Sequence, residues 1–456
     1  MLNIIIYTLN ICFSSYILIK LNSSYLVLNI LVIGFIIYAG QYIFDRCLTK
    51  NNFKKNSLFR VVWQFKILLA ILLVNSSWLP MIFDESNGYD PIRFYRDAND
   101  FVESGWSFIV PSNYQGAIYY YSGIFFIFGH NPVITAIINS FITLIASISI
   151  FNLLLKNEFI SRNRNSIIFI ILIPEIIWYD AITSRESLVS AIVCLTYYYT
   201  QKLFNNRSLI YNIIIILLLL SVLAIRTTVA ISLCSAMLIS FFFCVSNKNK
   251  WKNVIKYIVI SIILFSLAPT FQSFIGGSEL NLFSAFSKVQ SYEDNIASEL
   301  SENWSQNSIG LLLTPNNLFE AIIFTPIRML LYIVSPLPNI QLAFSDAQQF
   351  LTMLTSLAYI YFLPYIIGGS YISFKKRYTS PEYFSIYIFL FIIFLTVAGG
   401  NIIIHERYRV MFSILYFSSA YIGLCNIPRS NIRYLQYYSY APMLFLAGTM
   451  FFYKIL

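Results

Sequence analysis

Apolar runs of about 17 to 25 residues recur along the whole of this chain, and each is long enough to cross roughly 30 Å of hydrocarbon as a helix. Such runs fix the solvent before they fix the fold. With 58% hydrophobic and 11% charged residues, the chain has too little polar side chain to solvate a globule of 456 residues. The spacing predicts about thirteen spans, near 2–20, 24–44, 61–83, 132–155, 165–181, 186–202, 208–225, 228–245, 254–270, 348–373, 382–398, 409–425 and 435–453. These Ile/Leu/Phe runs are apolar on every face, whereas a barrel would alternate over roughly ten residues. The expected fold class is therefore all-α, a polytopic helical bundle forming one domain over 1–456.

The charges between the runs predict the threading. Lys and Arg stay on the cytoplasmic side. Six connections are basic and alternate with the rest: Arg46 to Arg60, Lys156/Arg162/Arg164, Lys202/Arg207, Lys248 to Lys256, Lys375/Lys376/Arg377 and Arg429/Arg433. Facing outward would then be 84–131, the turn near 182–186, Arg226, the long segment 271–347 and the turn at 399–408. Of the acidic residues only Asp45, Glu158 and Glu382 fall inside, so the net charge of +10 is mainly topology and no nucleic-acid partner is implied. The expected location is a bacterial inner membrane, crossed many times, with the N-terminus cytoplasmic and the chemistry on the periplasmic side. Met1 to Lys20 reads as a first span rather than a removed signal peptide.

Several chemistries lack the residues they need. The six cysteines form no CxxC pair and none lies in an outer loop, so neither disulfides nor zinc are expected. His130 and His405 are the only histidines and no HExxH is present. Neither GxxxxGK[ST] nor GxGxxG occurs, which leaves nucleotide chemistry without support. No cofactor is expected; the one metal the residues could accommodate is a hard divalent cation at the acidic cluster around Asp90.

The outer set does carry candidates. Asp84, Glu85, Asp90, Asp97, Asp100 and Glu103 crowd into one short stretch. If Pro91 opens a helix, Asp90 takes the N-cap, and Asp90, Arg93 and Asp97 share a face as a base and its polar supports, or as a solvated face of i to i+4 pairs. A second candidate is Pro174-Glu175 through Asp180 to Ser184-Arg185-Glu186-Ser187, where two spans meet and charges are costly unless paired or facing a wet cavity. Arg226, Arg328, Arg407 and Arg409 are further guanidiniums suited to gripping a phosphate, or to snorkelling toward headgroups. These arginines, with Arg185, are expected to converge on one outward cavity. A helix near 319–334 carries Phe319, Ile322, Ile323, Ile327 and Leu330 at helical spacing, and Pro326, Pro336 and Pro338 argue against an uninterrupted crossing. The segment 271–347 is therefore expected to be a lid lying along the interface.

The run Asp90-x-x-Arg93-x-Tyr95-x-x-Ala98-x-x-Phe101-x-x-x-Gly105-Trp106, with Tyr119 through Phe128-Gly129 and Asn139, resembles the first outer loop and following span of the GT-C membrane glycosyltransferases. The closest likeness is to the branch of protein mannosyltransferases and aminoarabinose transferases. Pro174 with Ser184-Arg185-Glu186-Ser187-Leu188 resembles that branch's next outer turn, and Glu406-Arg407-Tyr408-Arg409 its late arginine-rich turn. The resemblance implies that Asp90, with Asp97 as the next candidate, activates the acceptor. Arg407 or Arg409 would contact polyprenyl phosphate, with Arg93, Tyr95, Glu186 and Glu406 in support. About three spans precede the acidic loop here, where that family usually has one. A layout of about thirteen spans with no soluble domain is also similar to O-antigen and capsule repeat-unit polymerases.

The function expected from these likenesses is polymerisation of polyprenyl-diphosphate-linked oligosaccharides at the periplasmic face, as in lipopolysaccharide or other polysaccharide biosynthesis. The alternatives are transfer of a single sugar from a polyprenyl-phosphate donor and flipping of a lipid-linked oligosaccharide. Expected partners are the lipid-linked saccharide donor and acceptor, membrane lipids and a chain-length regulator. Asp90→Asn should leave expression unchanged and lower turnover by about two orders of magnitude, the usual scale for a positioned base. Normal polymer from that variant would move the role to Asp97.

Overall fold

The computed structural model describes residues 2–20, 25–50, 57–75, 90–107, 115–155, 168–205, 208–244, 318–334, 347–400, 406–428 and 431–441, with isolated positions at 255 and 259. Every regular element among them is helical. The order is α1 (Leu2–Lys20), α2 (Leu26–Lys50), α3 (Ser57–Asn75), α4 (Asp90–Glu103), α5 (Gln115–Phe128), α6 (Pro132–Leu155), α7 (Ile168–Ile171), α8 (Pro174–Ala181), α9 (Arg185–Asn205), α10 (Leu209–Ile225), α11 (Thr227–Cys244), α12 (Leu318–Val334), α13 (Ala347–Lys375), α14 (Pro381–Gly400) and α15 (Val410–Asn426). A further helix runs through 431–441.

Six of the described helices, α1, α2, α6, α11, α13 and α14, are long and apolar enough to cross a membrane, and α10, α15 and part of α12 are shorter apolar helices. The chain is a membrane-embedded helical protein. Its faces are arranged for lipid: Ile4, Val27, Phe35 and Leu209 stand exposed, while Asn10, Asn29, Gln64 and Lys66 are buried. A water-soluble fold would invert that distribution.

The run at 165–181 is not one span. It breaks at Leu172–Ile173 into α7 and the short α8, because Pro174 cannot donate a backbone hydrogen bond and suits a first helical turn. The expected span 254–270 lies outside the described residues, as does most of 435–453. Helix α12 forms where expected and runs through Pro326 without interruption, so that proline does not divide it. Its buried side chains include Arg328, Leu331, Tyr332 and Ile333, and Ile323 on the expected apolar stripe is exposed. The rest of the expected lid, 271–317 and 335–346, lies outside the described residues.

Helix α4 begins where the sequence places it. Pro91 occupies its first turn, and Ile92, Phe94, Ala98 and Phe101 are buried. It ends in two left-handed residues, Gly105 at φ 65° and Trp106 at φ 68°, with Trp106 N donating to the Phe101 carbonyl at 3.0 Å. This closure satisfies a carbonyl that a straight end would leave open. Apolar α5 follows, within what the charges mark only as an outer loop.

The hydrogen bonds join connections in the two groups that the charge pattern separates. At one end Thr183 Oγ1 donates to the Pro91 carbonyl, Tyr121 Oη to the Ser184 carbonyl, and Arg226 lies over the Tyr408 ring. Further along α9, Tyr197 Oη donates to the Glu382 carbonyl at 2.7 Å, and Gln201 Nε2 to Ser385 Oγ at 2.7 Å. The start of α9 and Gln201 are separated by roughly 24 Å of helix. These connections of the two groups thus lie at opposite ends of α9.

Helices α13 and α15 cross without intervening side chains. Gly423 faces the Tyr365 carbonyl so closely that any Cβ would overlap it, and Gly369 sits beside Gly423. Close backbone approach at small residues is how helices associate where lipid removes the hydrophobic drive. Gly423→Ala should lower stability by about 1–3 kcal/mol through overpacking. Thermal unfolding in detergent checks this, with Gly34→Ala, which meets only ordinary contacts, as the tolerant comparison.

Candidate functional site

Three turns converge at the end of the bundle marked by Thr183 and Pro91. Arg226 alone separates α10 from α11, in extended conformation, with its amide donating to the Val222 carbonyl at 2.6 Å. Its guanidinium lies 4.5 Å over the Tyr408 ring. Arg407, in the 3-10 turn Glu406–Tyr408, lies 5.0 Å from the same ring and donates from Nη2 to Tyr408 Oη at 3.1 Å. One tyrosine therefore holds two guanidiniums, through a ring face that attracts cations and an oxygen that accepts from one of them.

Arg185 opens α9 and sits 3.7 Å from Glu186. Its charge reaches Arg226: burial, followed by the Arg185 charge, pulls the Arg226 guanidinium down to about 10, with Arg407 acting in the same direction and Glu186 and Tyr408 opposing. Arg226 stays protonated at neutral pH even so. Arg185, Arg226 and Arg407 thus form one electrostatic group with Glu186 and Tyr408. A cleft runs from Arg226 between α11 and α14, lined by Thr228, Ser232 and Thr396 and by the apolar Val229, Ile393 and Val397.

Helix α4 borders this group through the Thr183–Pro91 hydrogen bond. That places Asp90, the first residue of α4, next in the chain to the docked Pro91; the side chains of Asp90 and Glu406 fall outside the described residues. Arg93 and Asp97 face each other at 3.9 Å, one turn apart. Burial pushes the Asp97 carboxyl up from the usual range while Arg93 pulls it down. Tyr95 is a clamp: its hydroxyl, raised to about 12 by burial, donates to the His130 carbonyl at 3.1 Å, and its ring packs edge-on to Phe125. Among the described residues no three His, Cys, Asp or Glu side chains gather as metal ligands.

Arg409 belongs elsewhere. Its side chain is wholly buried and sets Nε 3.0 and 3.1 Å from the two carboxylate oxygens of Glu175 on α8. Its Nη1 donates to Ser356 Oγ at 2.9 Å and to the Tyr332 carbonyl at 3.4 Å, and Nη2 to the Thr352 carbonyl at 2.9 Å. Arg328 is buried one turn before Tyr332 on α12. The five arginines expected in one cavity therefore divide: Arg226 and Arg407 meet at Tyr408 within electrostatic range of Arg185, and Arg409 joins α8, α12, α13 and α15 on the side where Arg328 lies. Sequence reasoning left Tyr408 without a role, and Glu175, which lies in a candidate stretch, is taken up by Arg409. Tyr408 had a signal, a ring between two arginines in the same turn.

No protein-family model, curated protein or solved structure matches this chain.

Removing one member of a buried pair strands the other charge, at a cost of about 3–5 kcal/mol. Arg409→Met should therefore abolish folded protein in detergent, and Glu175→Leu/Arg409→Met should recover it. Arg226→Gln should remain folded. Size-exclusion chromatography and thermal unfolding read all three.

Proposed function

We propose that this protein is a glycosyltransferase of the outer membrane face that takes its donor from a polyprenyl diphosphate and joins lipid-linked oligosaccharide repeat units. The observation that carries the reading is the stacking of Arg226 and Arg407 on Tyr408, within electrostatic range of Arg185 and near the docked start of α4. Guanidiniums at one locus stabilise the charge that develops as a sugar leaves its diphosphate. An acid at the start of α4, Asp90 first and Asp97 next, would accept the proton of the attacking hydroxyl. The lipid carries the donor in the bilayer plane, so the reaction needs no nucleotide.

Chemically, the acceptor oxygen attacks the anomeric carbon, its proton passes to the carboxylate, and the bond to the diphosphate oxygen breaks. The arginines hold the departing diphosphate throughout. The charge pattern supports placing this end of the bundle outside, because the connections it gathers are those left without the basic excess.

Deleting the gene and resolving the surface polysaccharide on a gel tests the activity. Chains of a single repeat support polymerisation. Loss of all polymer points to a flippase, and an unchanged ladder with altered lipid mass to transfer of a single sugar. Arg226→Lys should lower polymer yield about tenfold or more in well-expressed protein, since an ammonium cannot reproduce the planar fork or its stacking on Tyr408.

A further inference from the structure

Behind the arginine group lies a buried polar triangle that the proposed reaction does not use. Lys66 of α3 sets Nζ 2.9 Å from Asp180 Oδ2, with side-chain exposures of 1% and 0%. Thr143 of α6 closes the figure: its hydroxyl accepts from Lys66 at 2.8 Å and donates to Asp180 at 2.8 Å. One turn away on α6, Asn139 donates at 3.4 Å to the Asp180 carbonyl and at 3.4 Å to Tyr121 Oη, and accepts from Tyr120 Oη at 2.9 Å. Tyr121 in turn donates to the Ser184 carbonyl, and Thr183 to the Pro91 carbonyl.

The connection from Asp180 to Ser184 is thus fastened by α3, α4, α5 and α6, and Arg185 is the next residue. An apolar trio of similar volume would pack there at no loss of stability, and often with a gain. What the charged triangle adds is a single seating for the turn: sliding it along α6 would strand Asp180 or Lys66 without a partner. Arg185 and Glu186 inherit that seating.

We infer that Lys66, Asp180 and Thr143 are positioning residues for the phosphate site, holding in place the α8–α9 turn that carries Arg185. This rests on the phosphate reading above. It predicts a local effect and a binding effect together, which a purely structural role would not produce.

The test uses the full chain in nanodiscs, with farnesyl diphosphate as probe and hydrogen exchange read by mass spectrometry. In Asp180→Asn and Thr143→Val, the peptide covering 180–187 should exchange at least tenfold faster while the interior of α9 keeps its rate, and probe affinity should fall about tenfold. The reversed pair Lys66→Asp/Asp180→Lys should recover part of both. If Asp180→Asn fails to fold, Thr143→Val carries the test, because it keeps the ion pair. Unchanged exchange and affinity in folded Thr143→Val, or equal acceleration in every helix, overturns the positioning role. Wild-type protein that ignores farnesyl diphosphate refutes the phosphate reading, and the exchange rates then decide the positioning role alone.

Discussion

Burying a carboxylate among apolar helices costs several kcal/mol unless a cation meets it with good geometry and further hydrogen bonds. Helix α8 imposes that requirement twice within eight residues, at Glu175 near its start and Asp180 near its end, both wholly buried. Each is answered from a distant part of the chain, Glu175 by Arg409 and Asp180 by Lys66. With its ends committed, α8 fixes the relative placement of α3, α6, α13 and α15 in a way that lipid-facing side chains could not. Dispersion among Leu and Ile tolerates sliding; a five-donor guanidinium held by Glu175, Ser356, Thr352 and Tyr332 does not.

This arrangement also accounts for the division of labour among the arginines. Arg407 and Arg409 are two residues apart, yet the 3-10 turn Glu406–Tyr408 ends between them and α15 begins immediately afterwards. Arg409 points into the bundle toward Glu175, while Arg407 remains with Tyr408. Anchoring the start of α15 through Arg409 therefore anchors Arg407, and anchoring the end of α8 through Asp180 anchors Arg185. The two buried pairs hold opposite sides of the same cationic group.

Much of the frame was legible in the sequence, for a simple reason: a span is a local property, set by composition over about twenty residues. The helices over 2–20, 132–155, 208–225 and 409–425 follow their apolar runs closely. Helix α4 follows no apolar run but begins as expected, because Pro91 marks its start in the chain itself. Broken 165–181 was missed although Pro174 announced it, since an apolar run on both sides of a proline reads as a kinked span as easily as two helices. The pairs Lys66–Asp180 and Glu175–Arg409 join residues far apart in the chain, and no periodicity carries that information. The same limit applies to the arginines. Their shared end of the bundle could be read from charge alternation, but which face of a turn each occupies depends on the packing of α8.

The strain of the site lies in its electrostatics. Burial first, and then the nearby charges of Arg185 and Arg407, make Arg226 hold its proton less tightly than an isolated arginine. Tyr408 and Glu186 act in the opposite direction, the ring through its face and Glu186 from beside Arg185. Under the proposal, a multiply charged anion bound among these cations would relieve part of the repulsion between them. Under the proposed chemistry the attraction grows as negative charge gathers on the departing diphosphate, so the same cluster favours the transition state over the bound donor.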